Sequence, residues 1–319
     1  AKVNYMDKTV KEPYGYMYER TDGGPENNLI IDTRKVAIHD SRAIAPELSL
    51  DVNGFILAPQ STTLSTEDFY NDPAKVVGTY YEEMKEIVKR ATGASRVVVF
   101  DHNVRNVQEK QRGSKEVISA KGDARNAPVA GYANLVHCDY TPESAAERLQ
   151  FLCRPSFQGG SYTDLGKPIF SHEEVQEILK QRFVFINVWR NISEKPIVSH
   201  PFAVCDVSTV STSDYVEHSM IYQDRVGHRF DVHYNQTHKW RYFARMHKNE
   251  VMLLKTMDSK PDVARYTPHT AFEDPNTASS DPPRESIEAR CIAIFSEGDV
   301  EVTNMSAGRL FQVSPPSKL

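Results

Sequence analysis

A chain of 319 residues, 25 % charged and with a net charge of −5 spread over interspersed signs, can bury one large core and carries no basic stripe for nucleic acid. No run approaches the ~18 to 20 apolar residues of a membrane span, and the first twenty residues, with Asp7, Lys8, Lys11 and Glu12 among Tyr and Pro, lack the apolar stretch of a signal peptide, so a cytoplasmic protein is expected. Cys138, Cys153, Cys205 and Cys291 have no CxxC spacing and read as reduced apolar fillers, while fifteen Tyr and fourteen Phe suit a β-structured core and an apolar cavity.

Residues 1–30 are polar and turn-rich, broken by Gly23-Gly24-Pro25, and predict a surface arm that either folds back or crosses to a partner in a homodimer. Residues 31–319 read as a single domain. Strand-like pieces cover 30–38, 48–51 and 55–58, with Asn53-Gly54 as a hairpin turn. Cap-like signals at Thr66 to Phe69 and at Asp72-Pro73 open a helical stretch in which Val76, Val77, Tyr80, Met84, Ile87 and Val88 recur every three or four residues, until Gly93 stops it. A buried strand follows from Arg96 to Asp101. We expect residues 31–105 to form an α/β extension packed beside a core over 126–296.

The charged segment from Asn106 to Asn126 predicts a loop at the cavity mouth and a candidate lid. Past Asn134 to Tyr140, helices are predicted from Pro142 and from Ser171, the latter with Ser171 and Glu174 as a capping box, and with a loop at 158–161 between them. Phe183 to Arg190 is the clearest buried strand. Further strand-like runs at 219–222, 230–234, 240–243, 251–255 and 287–295 give short strands at regular spacing. The fold class is α+β, mainly β: a jelly-roll core of the double-stranded, cupin-like kind with flanking helices.

The apolar run Asn134 to Tyr140 ends in His-x-Asp. On a strand, alternation puts His137 and Asp139 on one face, where an imidazole and a carboxylate can reach one metal ion. His269, in Tyr266-Thr267-Pro268-His269, is the candidate third ligand, and Arg284 adds a basic group further on. Two His and one carboxylate leave coordination positions open, as in non-haem Fe(II) oxygenases. A lone His-x-Asp arises by chance among eleven His; its place at the end of an apolar strand, the later Pro-His-Thr turn and the Arg-x-Ser beyond it argue for a site.

The blocks Phe100-Asp101-His102-Asn103-Val104-Arg105, Val136-His137-Cys138-Asp139-Tyr140, Ile186-Asn187-Val188-Trp189-Arg190, His238-Lys239-Trp240-Arg241-Tyr242-Phe243, Leu254-Lys255-Thr256-Met257-Asp258, Pro268-His269-Thr270-Ala271-Phe272 and Pro283-Arg284-Glu285-Ser286-Ile287 together resemble the fungal gibberellin-desaturase and cephem-methoxylase family over residues 30–296. The resemblance implies a dioxygenase that uses Fe(II), 2-oxoglutarate and O2 to oxidise a small natural product of secondary metabolism, releasing succinate and CO2. It implies that His137, Asp139 and His269 hold the iron and that Arg284, with Ser286, pairs with the far carboxylate of 2-oxoglutarate, a task suited to a forked guanidinium that stays charged when dry. Arg290 ranks second for that role, or for an ion pair with Glu288 or another carboxylate. Asn187 and Trp189 alternate onto one face and are candidates to line the cavity, and Trp240, Tyr242 and Lys255 are candidates to approach the co-substrate. His102 and Arg105 belong to a family block, with a structural hydrogen bond as the default. A metal-dependent isomerase or hydrolase on the same barrel, and a silent metabolite-binding barrel, are the alternatives.

Overall fold

The computed structural model describes residues 1–106, 129–130, 132–154 and 167–296. The candidate lid, apart from Asn106, and the loop at 158–161 lie outside the described residues. The strands begin with β1 (Lys2–Met6), β2 (Tyr14–Tyr16), β3 (Ile31–Lys35), β4 (Ile38–Asp40), β5 (Phe55–Pro59) and β6 (Arg96–Arg105). They continue with β7 (Val129–Ala130), β8 (His137–Cys138), β9 (Phe183–Asn191), β10 (Phe202–Cys205) and β11 (Tyr215–Ile221). Last come β12 (Val226–Val232), β13 (Trp240–Tyr242), β14 (Glu250–Asp258), β15 (His269–Ala271) and β16 (Ser286–Ile294).

Two sheets form the jelly roll, one in the order β2-β11-β12-β8-β15-β10-β13-β4 and one in the order β5-β14-β9-β16-β6-β7. The second is built from the most apolar runs: every residue of Phe183–Asn191 is buried, as a central strand covered on both faces requires. On one side the helix Tyr81–Thr92 packs against β6 and β16, with Met84, Ile87, Val88 and Ala91 buried among Val97, Val99, Cys291 and Ala293. Gly93, at φ 77, caps this helix by bonding to Lys89 O, as its position in the sequence predicts. The break at Asp72-Pro73 and a π turn over Val76–Tyr80 split the helical stretch that periodicity alone would join.

The structure corrects the expected organisation in three places. The first residues are not a surface arm: β1 pairs with β3, β2 runs parallel to β11, and Tyr5 and Met6 are fully buried, so the segment folds back onto its own chain. β5 and β6 are not an extension beside the barrel but strands of the six-stranded sheet, bonded to β14 and β16. Residues 48–51 pair with no hairpin strand; Ser49 to Gly54 is a turn closed by Asn53 N–H and Gly54 N–H on Ser49 O. Gly54 has φ 88, and a Cβ there would come within 2.4 Å of Thr267 Oγ1, so only glycine fits. Among the described residues no helix is long and apolar enough to cross a membrane.

Lys255 shows how this sheet handles buried charge. Its register partner is Ile186, so it points away from the face that carries Asn187, and its ammonium bonds Asp51 and Asp258. Arg182 bonds both carboxylates as well. Burial alone would raise the Asp258 pKa, but the hydrogen bond from Arg182 and the charge of Lys255 hold it below its usual 3.8. A depressed carboxyl contributes stability that is present above the unfolded pKa and lost as the pH falls through the folded one. Lys255→Ala therefore loses about 3 kcal/mol at pH 7, the cost of breaking a buried pair, and the gap to wild type narrows below pH 4 in urea unfolding. Equal midpoints at pH 7 would remove this role.

Candidate metal and co-substrate site

β8 and β15 are neighbours in the eight-stranded sheet, with His269 directly opposite His137. Both side chains therefore leave the same face, and their ring centroids are 4.4 Å apart. Asp139 sits in the bend just beyond β8, and its Oδ1 lies 3.5 Å from His137 Nε2 and 3.6 Å from His269 Nε2. One ligand atom from each of the three lies within 4.8 Å of the others, a spacing that suits a single metal ion.

The orientation of each ligand is set by its own hydrogen bond. His137 Nδ1 is 2.8 Å from Leu135 O and His269 Nδ1 is 2.9 Å from Thr267 O, so each ring donates to the carbonyl two residues back and turns Nε2 inward as the free base. Asn187 Nδ2 donates to Asp139 Oδ2 at 2.6 Å, leaving Oδ1 for the metal. Burial pushes the His137 pKa down, as neutral ligation requires, whereas at His269 burial is outweighed by the hydrogen bond and charge of Asp139, which raise it. Burial would raise Asp139, but His137 and His269 hold it well below the carboxylate range.

A small cleft opens beside these groups, lined by Arg105, Trp189, Phe202, Arg284 and Glu288 among others. Trp189 stacks on Phe202 at 5.1 Å, and Phe202 lies 5.4 Å from the His269 ring, making an apolar wall next to the ligands. Arg284 is 3 % exposed; its Nη1 donates to His200 O at 2.7 Å, and its guanidinium lies over Tyr132 at 4.2 Å and Trp189 at 5.5 Å. His200, at φ 46, supplies that carbonyl from the left-handed region. Among the described residues Arg284 has no ion-pair partner, and its Nε is buried without a hydrogen bond. Burial without a counter-ion pushes its pKa down to about 9, still above neutrality. Ser286 Oγ, fully buried, also lacks a partner.

The other candidates fall elsewhere, and strand parity is the reason. Val204 faces both His269 and Arg241 across the sheet, so Trp240 and Tyr242 point to the opposite face from the triad. Trp240 Nε1 instead donates to Tyr5 OH at 2.5 Å, and Tyr242 packs edge-on against Phe272. Lys255 is held in its own cluster, as described above. Arg290 does share the inner face, but its Nη2 is bonded to Asp101 at 2.7 Å rather than to Glu288. His102 meets Tyr81 OH at 2.8 Å, a structural bond, whereas Arg105 reaches the cavity. Sequence reasoning passed over Phe202, Tyr132 and Glu288; for Glu288, even spacing from Arg284 and Ser286 was the available signal.

Comparison with known proteins agrees with this geometry. The model of the Oxidoreductase/YMDC permease-like domain matches residues 3–294. The chain is similar to the hydroxylase/desaturase efuI of Hormonema carpetanum, 32 % identical over 92 % of this chain and 97 % of the relative. It is also similar to the Fe(II)/2-oxoglutarate-dependent dioxygenase nvfI of Aspergillus novofumigatus, 29 % identical over 90 % and 92 %. The solved structure of the iron and alpha-ketoglutarate-dependent endoperoxidase NvfI superposes with a TM-score of 0.73 at 26 % identity, covering 92 % of this chain and 97 % of that one.

Asn187 is the group whose loss tests the arrangement most directly. Asn187→Ala frees Asp139 Oδ2 and lowers Co(II) or Fe(II) affinity about 10- to 100-fold, in the range for outer-shell partners of metal ligands. An unchanged affinity by metal titration would mean that Asp139 keeps its orientation unaided.

Proposed function

The chain belongs to the oxidoreductase/YMDC permease-like family and is, with its relatives, a non-haem Fe(II)/2-oxoglutarate-dependent dioxygenase; from that premise we propose that His137, Asp139 and His269 hold the iron, and that Arg284 and Ser286 hold the far carboxylate of 2-oxoglutarate. The observation that carries the co-substrate assignment is the uncompensated guanidinium. A metal triad alone would serve an isomerase, a hydrolase or a silent binding barrel equally well. None of these needs a buried cation without a described counter-ion beside a buried hydroxyl without a partner. A dicarboxylate supplies both missing acceptors, and a bidentate guanidinium–carboxylate pair in a dry site is among the stronger polar contacts a protein makes.

The donor set also fits iron: two neutral imidazoles and one carboxylate oxygen on one side leave the opposite side free for a chelating ligand. When bound, Fe(II) with 2-oxoglutarate and O2 supplies the oxidising chemistry, and the co-substrate leaves as succinate and CO2. The chain's own part is placement. Asn187 fixes the carboxylate, the two backbone carbonyls fix the rings, and Trp189 with Phe202 keeps water from the adjoining wall. The substrate we assign is a small natural product of secondary metabolism. The relatives named as hydroxylase/desaturase and as endoperoxidase support that class, and they support more than one outcome for this scaffold.

Anaerobic addition of Fe(II) and then 2-oxoglutarate to the protein is expected to give the weak visible charge-transfer band of a chelated keto acid, absent in His137→Ala. In Arg284→Ala half-saturation moves to about 10- to 100-fold higher 2-oxoglutarate, the loss of one charge-assisted contact, while Arg290→Ala leaves it near wild type. An unmoved half-saturation in Arg284→Ala would return the anchor role to another cation.

A further inference from the structure

Glu288 lies two residues beyond Ser286 on β16 and shares the inner face with it, at the wall of the cavity that holds the triad. It is 7 % exposed, and its carboxylate has no hydrogen-bond or ion-pair partner among the described residues. The side chains nearest to it by register are engaged elsewhere. Arg290 donates to Asp101. Asn103, opposite on β6, gives its amide N–H to His102 O and its oxygen to Arg290 once the amide is oriented to satisfy its neighbours. Trp189, opposite on β9, is stacked on Phe202.

A carboxylate buried this far needs donors, and the strand around it offers none. 2-Oxoglutarate is a poor candidate, since its carboxylates are repelled by Glu288 and drawn to Arg284. The cavity wall thus carries two groups of opposite preference: a guanidinium whose Nε has no acceptor and an acid without a donor. We propose that Glu288 is a specificity-determining residue that accepts a hydrogen bond from a hydroxyl or amine group of the organic substrate and so orients the substrate beside the triad. This rests on the reading above, in which the co-substrate takes the Arg284 end and leaves Glu288 to the second ligand.

The test uses three probes of one size, benzylamine, benzyl alcohol and benzoate, whose dissociation constants are measured by equilibrium dialysis with the anaerobic Fe(II)/2-oxoglutarate protein and again with the metal-free protein. Wild type is expected to bind benzylamine and benzyl alcohol about tenfold more tightly than benzoate, the size of one charge-assisted hydrogen bond. In Glu288→Gln benzylamine weakens and benzoate tightens, each by several-fold. In Glu288→Leu benzyl alcohol weakens too. The half-saturation for 2-oxoglutarate rises in neither variant, and Glu288→Gln melts no lower than wild type, because no folded-state bond is lost. The same probe order and spacing in all three proteins would overturn the proposal, as would a lower melting temperature of Glu288→Gln with unchanged probe binding, which would make the residue structural. If the keto-acid band fails to form even in wild type, the iron reading falls, and the probe order in the metal-free protein still decides the role of Glu288.

Discussion

One backbone pairing, His137 opposite His269 on β8 and β15, is the constraint on which the rest of the site depends. Antiparallel strands place paired side chains on the same face about 5 Å apart, so two residues distant in the chain become neighbours without any further device. That closeness costs desolvation of two imidazoles, and the cost is met locally. Each ring gives its Nδ1 proton to a carbonyl two residues back. The triad is therefore as rigid as the sheet itself, and Asp139, the one ligand outside a strand, needs Asn187 from the opposite sheet to hold it.

Several buried charges in this core are matched by an opposite charge. Lys255 and Arg182 are matched by Asp51 and Asp258, Arg290 by Asp101, and Arg42 by a two-pronged bond to Glu250. Each pair roughly cancels its own desolvation and contributes little net stability, but removal of one partner would be costly. Arg284 and Glu288 lack such a pair among the described residues, on one wall of one cavity. The charge of Glu288 favours the Arg284 cation, but no described hydrogen bond or ion pair joins the two. Arg190, also fully buried without a carboxylate partner among the described residues, is met by the Lys248 and Gln60 carbonyls, whereas Arg284 and Glu288 stand where a cavity opens.

Much of this was legible in the sequence, and strand parity explains both what was and what was not. His137 and Asp139 stood out by their parity at the end of an apolar run, Asn187 and Trp189 by alternation on a buried strand, and His269, Arg284 and Ser286 by a later turn and by family resemblance. The structure brings His137, Asp139 and His269 within reach of one another. Trp240, Tyr242 and Lys255 were misplaced because family blocks give neighbourhood without giving the face; one residue of register moves a side chain to the other side of a sheet, and here Val204 and Ile186 set that register from distant strands. The role of β1 and β2 was illegible for a different reason. β2, three residues long, joins the edge of a sheet by parallel pairing with β11, and β1, paired antiparallel with β3, buries Tyr5 against Trp240 and His238, far away in the chain.

The polar groups of the cavity wall cost the fold stability. Asn187 Oδ1, Arg284 Nε and Ser286 Oγ are buried without partners, and all three lie on the inner face of β9 or at the start of β16. Each unmet polar group costs about 1 to 3 kcal/mol relative to a satisfied one, which is a large share of the marginal stability of a domain. Apolar substitutes would pack this face more stably, and the surrounding strands use them freely: Val188 and Ile186 alternate with Asn187 and Trp189 on the other side of β9. The polar residues are therefore not explained by folding. A ligand that supplied their missing partners and bound only the folded state would return that cost as stability, growing with the logarithm of its affinity. The inner face thus keeps unmet polar groups, at a cost to stability, beside the three side chains whose spacing suits a metal ion.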